Sequence, residues 1–346
     1  MKKILFLLIV LIGTQQTQAK VWRINNTPGV VADFNDPNTA LASASVLNDD
    51  TLHFEGSATA YPGFTLNKRL VIIGTGYFIN GANSNTGLQA NPNTSKFNGS
   101  YIVFDTLATG SKIIGLDNFY FGVGSVLGSA TDNITITRCR FSTGANYGYT
   151  ANTNMTGWKI NKCYISNISF NGFLAQNWEV INNIFDGALD LSGTNNLNNL
   201  IRNNVFRAQI FLYNAYFANN ILVNTTFTVT NVTVRNNTCI SSAPAGFAPF
   251  VGSNGNIDNE TDAAIFQGIS GNSTDGQWRL VAGCSAIGSG ETVSAITPDR
   301  GAFGTADPYK LSGIPAIPTI YALTVPATVA SSATTMPITI STKSNN

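Results

Sequence analysis

The chain has 346 residues, 11 % of them charged, and a formal net charge of +1. So little charge, and so evenly balanced, excludes the basic footprint that a nucleic-acid binder needs. It also leaves no strong field to draw in a polyanion. The chain is rich in Asn, Thr, Ser and Gly, which favours strands and turns over helices.

In chain order, Lys2 and Lys3 precede an unbroken apolar run from Ile4 to Ile12, and Thr17-Gln18-Ala19 follows it. That order of charge, apolar run and small residues predicts a signal peptide over 1–19, cut before Lys20. The run is too short to span a bilayer, and no later segment reads as transmembrane. The protein is therefore expected outside the cell, secreted or held at its surface. Thr39 to Leu47 is the one helix-like stretch of the remaining chain and is expected to cap the fold at its N-terminal end. Asp49 to Glu55, Phe64 to Leu66 and Leu70 to Gly74 read as early strands, and Tyr101 to Phe104 and Lys112 to Leu116 continue the series.

An internal repeat follows. Six segments, beginning at Ile134, Trp158, Trp178, Asn199, Ala215 and Val232, share the order apolar, any, apolar, any, polar, Asn or Cys, any, apolar. Only Asn199 breaks the pattern at its first slot. The segments start 24, 20, 21, 16 and 17 residues apart. A fixed motif on a variable spacing predicts one coil per repeat, with loops of differing length at the corners. Period-two alternation then aligns Ile136, Ile160, Val180, Ile201, Phe217 and Val234 in one apolar column, at the roughly 4.8 Å separation of paired strands. Phe141, Ile165, Phe185, Phe206, Leu222 and Cys239 form a second column. Cys139, Cys163, Asn183, Asn204, Asn220 and Asn237 mark the bend between them. There the asparagines are expected to take left-handed backbone geometry and to bond along the stack as a ladder. Cys139 and Cys163 would lie one above the other, either as a disulfide or as two buried thiols. Tyr164, Ile184, Val205 and Ile221 align beside the ladder. They read as core if the bend turns them inward, which is the favoured reading, and as an apolar stripe in need of cover if they face out.

Beyond Ser241 the chain reads as loops, except for a late strand at Gln277 to Val281. Pro308, Pro315 and Pro318 make an extended connector. Alternation at Tyr321, Leu323 and Val325 and at Ile338 and Ile340 predicts a terminal hairpin. The predicted organisation is thus a signal peptide over 1–19, a solenoid over 20–307 with its cap, and a connector with hairpin over 308–346.

Asn48-Asp-Asp-Thr-Leu-His-Phe54, Tyr61-Pro-Gly63 and Leu66 to Gly76, together with Gly76 to Asn80, Asn83 to Thr86, Asp299-Arg-Gly-Ala-Phe-Gly304 and Pro308 to Pro315, resemble secreted bacterial right-handed parallel β-helix proteins of the pectin-lyase-like superfamily. The resemblance implies an all-β, right-handed parallel β-helix over nearly the whole mature chain. It does not imply one activity, because that fold carries lyases, hydrolases, adhesins and scaffolds. The acidic cluster with a basic proton acceptor of pectate lyases is not met. Nor is the polygalacturonase set, since Phe54 follows the lone His53 and no Arg-x-Lys occurs.

The charged residues of the repeats carry two readings. Lys159 with Glu179, and Asp186 with Arg207, are equivalent positions in adjacent coils and would pair across strands on a solvated face. Alternatively Asp186 and Asp190 form an acid/base pair, with Arg202 or Arg207 as a substrate clamp. Tyr147 and Tyr149, set among small polar residues, are candidate sugar-stacking rings, or they simply pack their loop onto the coil. Asp258, Glu260 and Asp262 share one loop and offer hard oxygens to calcium, or form a solvated acidic turn. No other cofactor is expected, and neither is nucleic acid. The expectation is a monomeric protein that binds or scaffolds extracellular polysaccharide without catalysis. The alternative is a polysaccharide lyase or glycoside hydrolase with an atypical site near Asp186.

Overall fold

A computed structural model describes residues 19–123, 131–143, 154–169 and 174–345. The predicted signal peptide, apart from Ala19, and the candidates Tyr147 and Tyr149 lie outside the described residues. The chain is an all-β parallel solenoid of about nine turns. One sheet has ten parallel strands, from Val21–Ile24 to Thr233–Arg235, taken in chain order. A second has thirteen strands. Its main path runs from Phe64–Leu66 to Ile257–Glu260, and a branch through Leu189–Leu191, Ile210–Tyr213 and Phe227–Thr230 leaves it at Tyr164–Ser169.

Each coil gives one strand to each main sheet, so the repeat dictates the register. Ile136, Ile160, Val180, Ile201, Phe217 and Val234 pair in succession, and Leu52, Ile72 and Ile113 extend the same column towards the N-terminus. Phe141, Ile165, Phe185, Phe206, Leu222 and Cys239 form the opposite wall. All are buried, and Phe185 stacks on Phe206 at 4.7 Å. Dispersion between such closely spaced side chains, added to apolar burial, is what holds successive coils together.

The bend between the walls is built by two residues with separate tasks. The left-handed residue is the first of each pair. Arg138, Lys162, Asn182, Asn203, Asn219 and Asn236 have φ between 51° and 58°. This corrects the expectation that placed left-handed geometry on the following Cys or Asn. The reversed backbone at the first position is what aims the second side chain into the coil. Inside, Asn183, Asn204, Asn220, Asn237 and Asn256 follow one another in single file. Each Oδ1 from Asn204 onward accepts the backbone N–H of the asparagine before it, at 2.8–3.0 Å, and also that residue's Nδ2, at 3.0 Å. Their Nδ2 atoms also donate to buried carbonyls such as Ile160 O and Val180 O. Cys139 and Cys163 hold the same position as free thiols. The Cys139 amide donates to Cys163 Sγ at 3.4 Å, and burial raises the Cys163 pKa well above its ordinary value. Asn199, the exception in the repeat, is fully buried. Its amide bonds Trp178 N and Ala175 O, each at 2.9 Å, and so satisfies the opposite corner.

Three expectations change at the ends of the solenoid. The helix is Pro37–Ala42, capped by Asp36, whose carboxylate accepts from Asn38 N and Thr39 N. Ala40 and Leu41 enter the main core, but the strand Val21–Ile24 precedes the helix. Ile257–Glu260 adds a further strand in what had read as loop. Gln277 to Val281 is not a strand. Gly276–Trp278 is a short 3-10 helix, because this stretch lies over the second sheet instead of joining it.

That overlay is the largest departure. Residues 262–315 run back along the outside of the solenoid, from its last coil towards its first. The outward side chains at the left-handed corners hold this strap in descending order. Asn236 Nδ2 donates to Ser289 O, Asn203 Nδ2 to Asp299 O, and Asn182 Nδ2 to Ala302 O. Lys162 pairs with Asp307, and Arg138 Nη1 donates to Ile314 O at 2.7 Å. Tyr164, Ile184, Val205 and Ile221 therefore face outward, not into the coil. They form a second core with Ile265, Phe266, Trp278, Ala302 and Tyr309 of the strap. The hairpin Thr319–Thr324 with Thr339–Lys343 follows, antiparallel as expected. It meets the early coils, where Ala90 N donates to Ile320 O at 2.8 Å, and not the last one.

Candidate functional site

The strap covers much of the second sheet, which keeps a shallow concavity near Phe64 and Tyr101, and two larger concavities involve the ten-stranded sheet. At its late end a groove of about 540 Å³ runs along the corner before the strands Asn199–Arg202, Ala215–Ala218 and Thr233–Arg235. Left-handed residues make this corner too: Asn198, Asn214 and Asn231, with φ of 55°, 48° and 53°. Their amides stand at successive coils, and Asn231 Nδ2 donates to Asn214 Oδ1 at 2.6 Å. Leu200 and Tyr216 are adjacent in register and supply the apolar floor. The Tyr216 hydroxyl donates to Glu291 Oε1 at 2.5 Å, and burial together with that carboxylate raises its pKa.

At the early end a cleft of about 570 Å³ lies between the first coils and the returning tail. Alternation in Thr51–Phe54 sends Leu52 and Phe54 inward and His53 outward, with Glu55 just beyond on the same side. Arg23 and Ile73 flank His53 in register. Glu55 accepts from Arg23 Nε at 2.6 Å and from Asn25 Nδ2 at 2.7 Å. Burial on its own would raise the Glu55 pKa, and these two hydrogen bonds carry it below its ordinary value. Burial lowers the His53 pKa, with Glu55 opposing and Arg23 adding to the effect. Gln89, Asn91, Pro315, Pro318 and Leu323 close the rest.

The residues singled out from sequence do not converge. Asp186 pairs with Arg207, whose guanidinium lies 4.8 Å from the Trp278 ring under the strap. Asp190 accepts from Ser192 N, and among the described residues no hydrogen bond joins it to Asp186. Arg202 is on the other sheet, 3.5 Å from Glu291, which also pairs with Arg235 at 3.2 Å. Arg202 and Arg207 therefore do not make one clamp. Lys159 pairs with Glu179 at 3.1 Å across exactly adjacent strands in register. Asp258 accepts from Ala243 N and Asn259 Nδ2, Glu260 from Ser285 Oγ, and Asp262 opens the short helix Asp262–Ile265.

No family model and no curated protein matches this chain. The site must therefore be read from its own chemistry. His53 and Glu55 escaped the sequence reading, although their two-residue spacing in an alternating strand puts them on one face. Tyr216 fills a slot of the repeat that carried no assignment, and Asn198, Asn214 and Asn231 each stand just before a repeat segment, so they escaped the sequence reading as well. No helix of the described residues is long and apolar enough to cross a membrane.

Proposed function

We propose that the protein binds extracellular polysaccharide without catalysis, using the open face of the ten-stranded sheet. The observation that carries this is the groove at Tyr216, where one aromatic ring lies beside a row of amides that recur from coil to coil. A sugar chain offers apolar C–H faces and hydroxyl edges, and a groove pairing apolar floor with fixed amides meets both. The parallel β-helix fold is compatible with carbohydrate-related roles. An exported, surface or secreted protein is part of the same reading, supported by the charged and apolar order of residues 1–19. Tyr147 and Tyr149 remain further candidate contacts, and calcium at Asp258, Glu260 and Asp262 remains a proposal open to titration.

The absence of turnover is supported by how the carboxylates are engaged. Glycoside hydrolysis needs two carboxyl groups facing each other across a substrate, one of them free to protonate. Asp186 is held by Arg207, and Glu55 by Arg23 and Asn25. A glycan array, followed by reducing-end and unsaturated-product assays on the best ligand, tests the reading. Binding without product is expected, weakened about tenfold or more by Tyr216→Ala and unchanged by Asp186→Asn. Turnover that disappears in Asp186→Asn would overturn it in favour of an atypical lyase or hydrolase.

A further inference from the structure

The early cleft is assembled from residues far apart in the chain, and one of its polar groups makes no hydrogen bond among the described residues. His53 is the single histidine. It stands on the outer face of Thr51–Phe54 and lines the cleft, and among the described residues its imidazole makes no hydrogen bond. Burial favours the neutral ring, which offers one donor and one acceptor. The Gln89 side chain lines the same space. The opposite wall is apolar, formed by Pro315, Pro318, Ile320 and Leu323 of the returning tail. The charges at this end already answer one another: both Glu55 oxygens are engaged, one by Arg23 and one by Asn25. Among the described residues that line the cleft, an entering carboxylate or ammonium would find no unengaged counter-charge and would lose its hydration uncompensated. The volume lies in the range of sites for small ligands.

We infer that this cleft is a second binding site, for one uncharged sugar residue, with its C–H face on the proline and aliphatic wall and its hydroxyls on the His53 imidazole and the Gln89 amide. The inference rests on the reading of the protein as a glycan binder, but on residues separate from the Tyr216 groove. An uncharged pyranose satisfies each surface of the cleft at once. An apolar ring without hydroxyls would leave the imidazole unpaired and Gln89 with only its bond to Asn93 O, which is the stronger penalty in a desolvated site.

The single histidine makes the test direct. In untagged full-length protein labelled with ¹⁵N, His53 gives the one imidazole resonance, and neutral methyl glycosides and short neutral oligosaccharides are titrated against it, with the matching uronic acids as the charged arm. A saturable shift with neutral sugars, absent with uronic acids, is expected. By calorimetry, His53→Ala should weaken the same sugars by roughly tenfold or more, the loss of one or two hydrogen bonds. His53→Gln, which restores a donor and an acceptor, should recover part of it, and it carries the test if the alanine variant fails to fold. Tyr216→Ala should leave the His53 titration unchanged while polymer binding falls. The inference is overturned if no neutral sugar moves the His53 resonance in protein that still binds polymer, or if a uronic acid binds there as tightly as its neutral counterpart. If polymer binding fails while His53 still answers to small sugars, the reading of the open face fails and this site stands.

Discussion

The corner asparagines show how one residue type does two jobs a single position apart. Asn203 accepts the strained left-handed backbone and reaches outward to Asp299 O, while the Asn204 side chain points inward and bonds five groups. Asn204→Leu would leave the buried Asn183 N without its acceptor and would take one bond each from the Asn183 and Asn220 amides. A loss of about 3 kcal/mol in urea unfolding is expected, because orphaned buried groups cost about 1–3 kcal/mol each. Cys163→Asn should stay within about 1 kcal/mol of the parent. The amide has the same neighbours there that Sγ uses now, Cys139 N and Ile136 O. His53 gives a pH prediction. Its folded pKa lies below the unfolded value of about 6.5. The unfolded chain therefore binds more protons, so the contribution is complete above that value and is lost as pH falls from it towards the folded pKa. Melting curves taken from pH 7.5 downward should show this decline, and His53→Gln should lack that component.

At the scale of elements, the strap decides what is core. It covers an outward stripe that a bare solenoid would expose, and Arg300 fastens it. That guanidinium is buried and donates to Asn237 O, Thr238 Oγ1, Gly255 O and Ser289 O, and burial lowers its pKa to about 10. Lysine cannot serve carbonyls in that fork geometry. Arg300→Lys should therefore loosen residues 262–315, seen as faster proteolysis within that segment and as binding of an apolar dye to the uncovered stripe. Gly313 marks a second close approach. A Cβ there would lie 2.2 Å from Arg138 O and 2.4 Å from Tyr77 Cε1, at a φ of 55°. Gly313→Ala should lower the melting temperature by displacing the strap beside the buried Tyr77–Tyr309–Asp275 network. An unchanged melting temperature would show that the strap can shift there without loss.

For the whole molecule, the tail separates fold from site. The hairpin Thr319–Thr324 with Thr339–Lys343 has most of its side chains in solvent and touches the solenoid at few points. Truncation before Thr319 should leave the circular dichroism of the β-helix and its melting temperature close to those of the parent, because both cores lie upstream. The same truncation removes Ile320 and Leu323 from the early cleft, so neutral-sugar binding at His53 should weaken while polymer binding at Tyr216 persists. A collapse of the fold on truncation would instead make the hairpin part of the scaffold.

The solenoid was legible because it is local and repetitive. A strand alternates with period two and coils stack at a fixed rise, so the motif from Ile134 to Cys239 determined the columns and the register by itself, and located the corner without its left-handed residue. The pairings of Lys159 with Glu179 and of Asp186 with Arg207 were legible for the same reason. The direction of Tyr164, Ile184, Val205 and Ile221 was not, because both faces of a strand can be buried and only a distant segment decides whether the outer one is. Nor was the early cleft, since His53 and Leu323 are 270 positions apart in the chain and meet only because the strap runs back along the coils. Repetition specified the scaffold from neighbouring residues. The candidate sites depend on where a non-repeating tail comes to rest, and that is set by burial and hydrogen bonds between residues no local pattern connects.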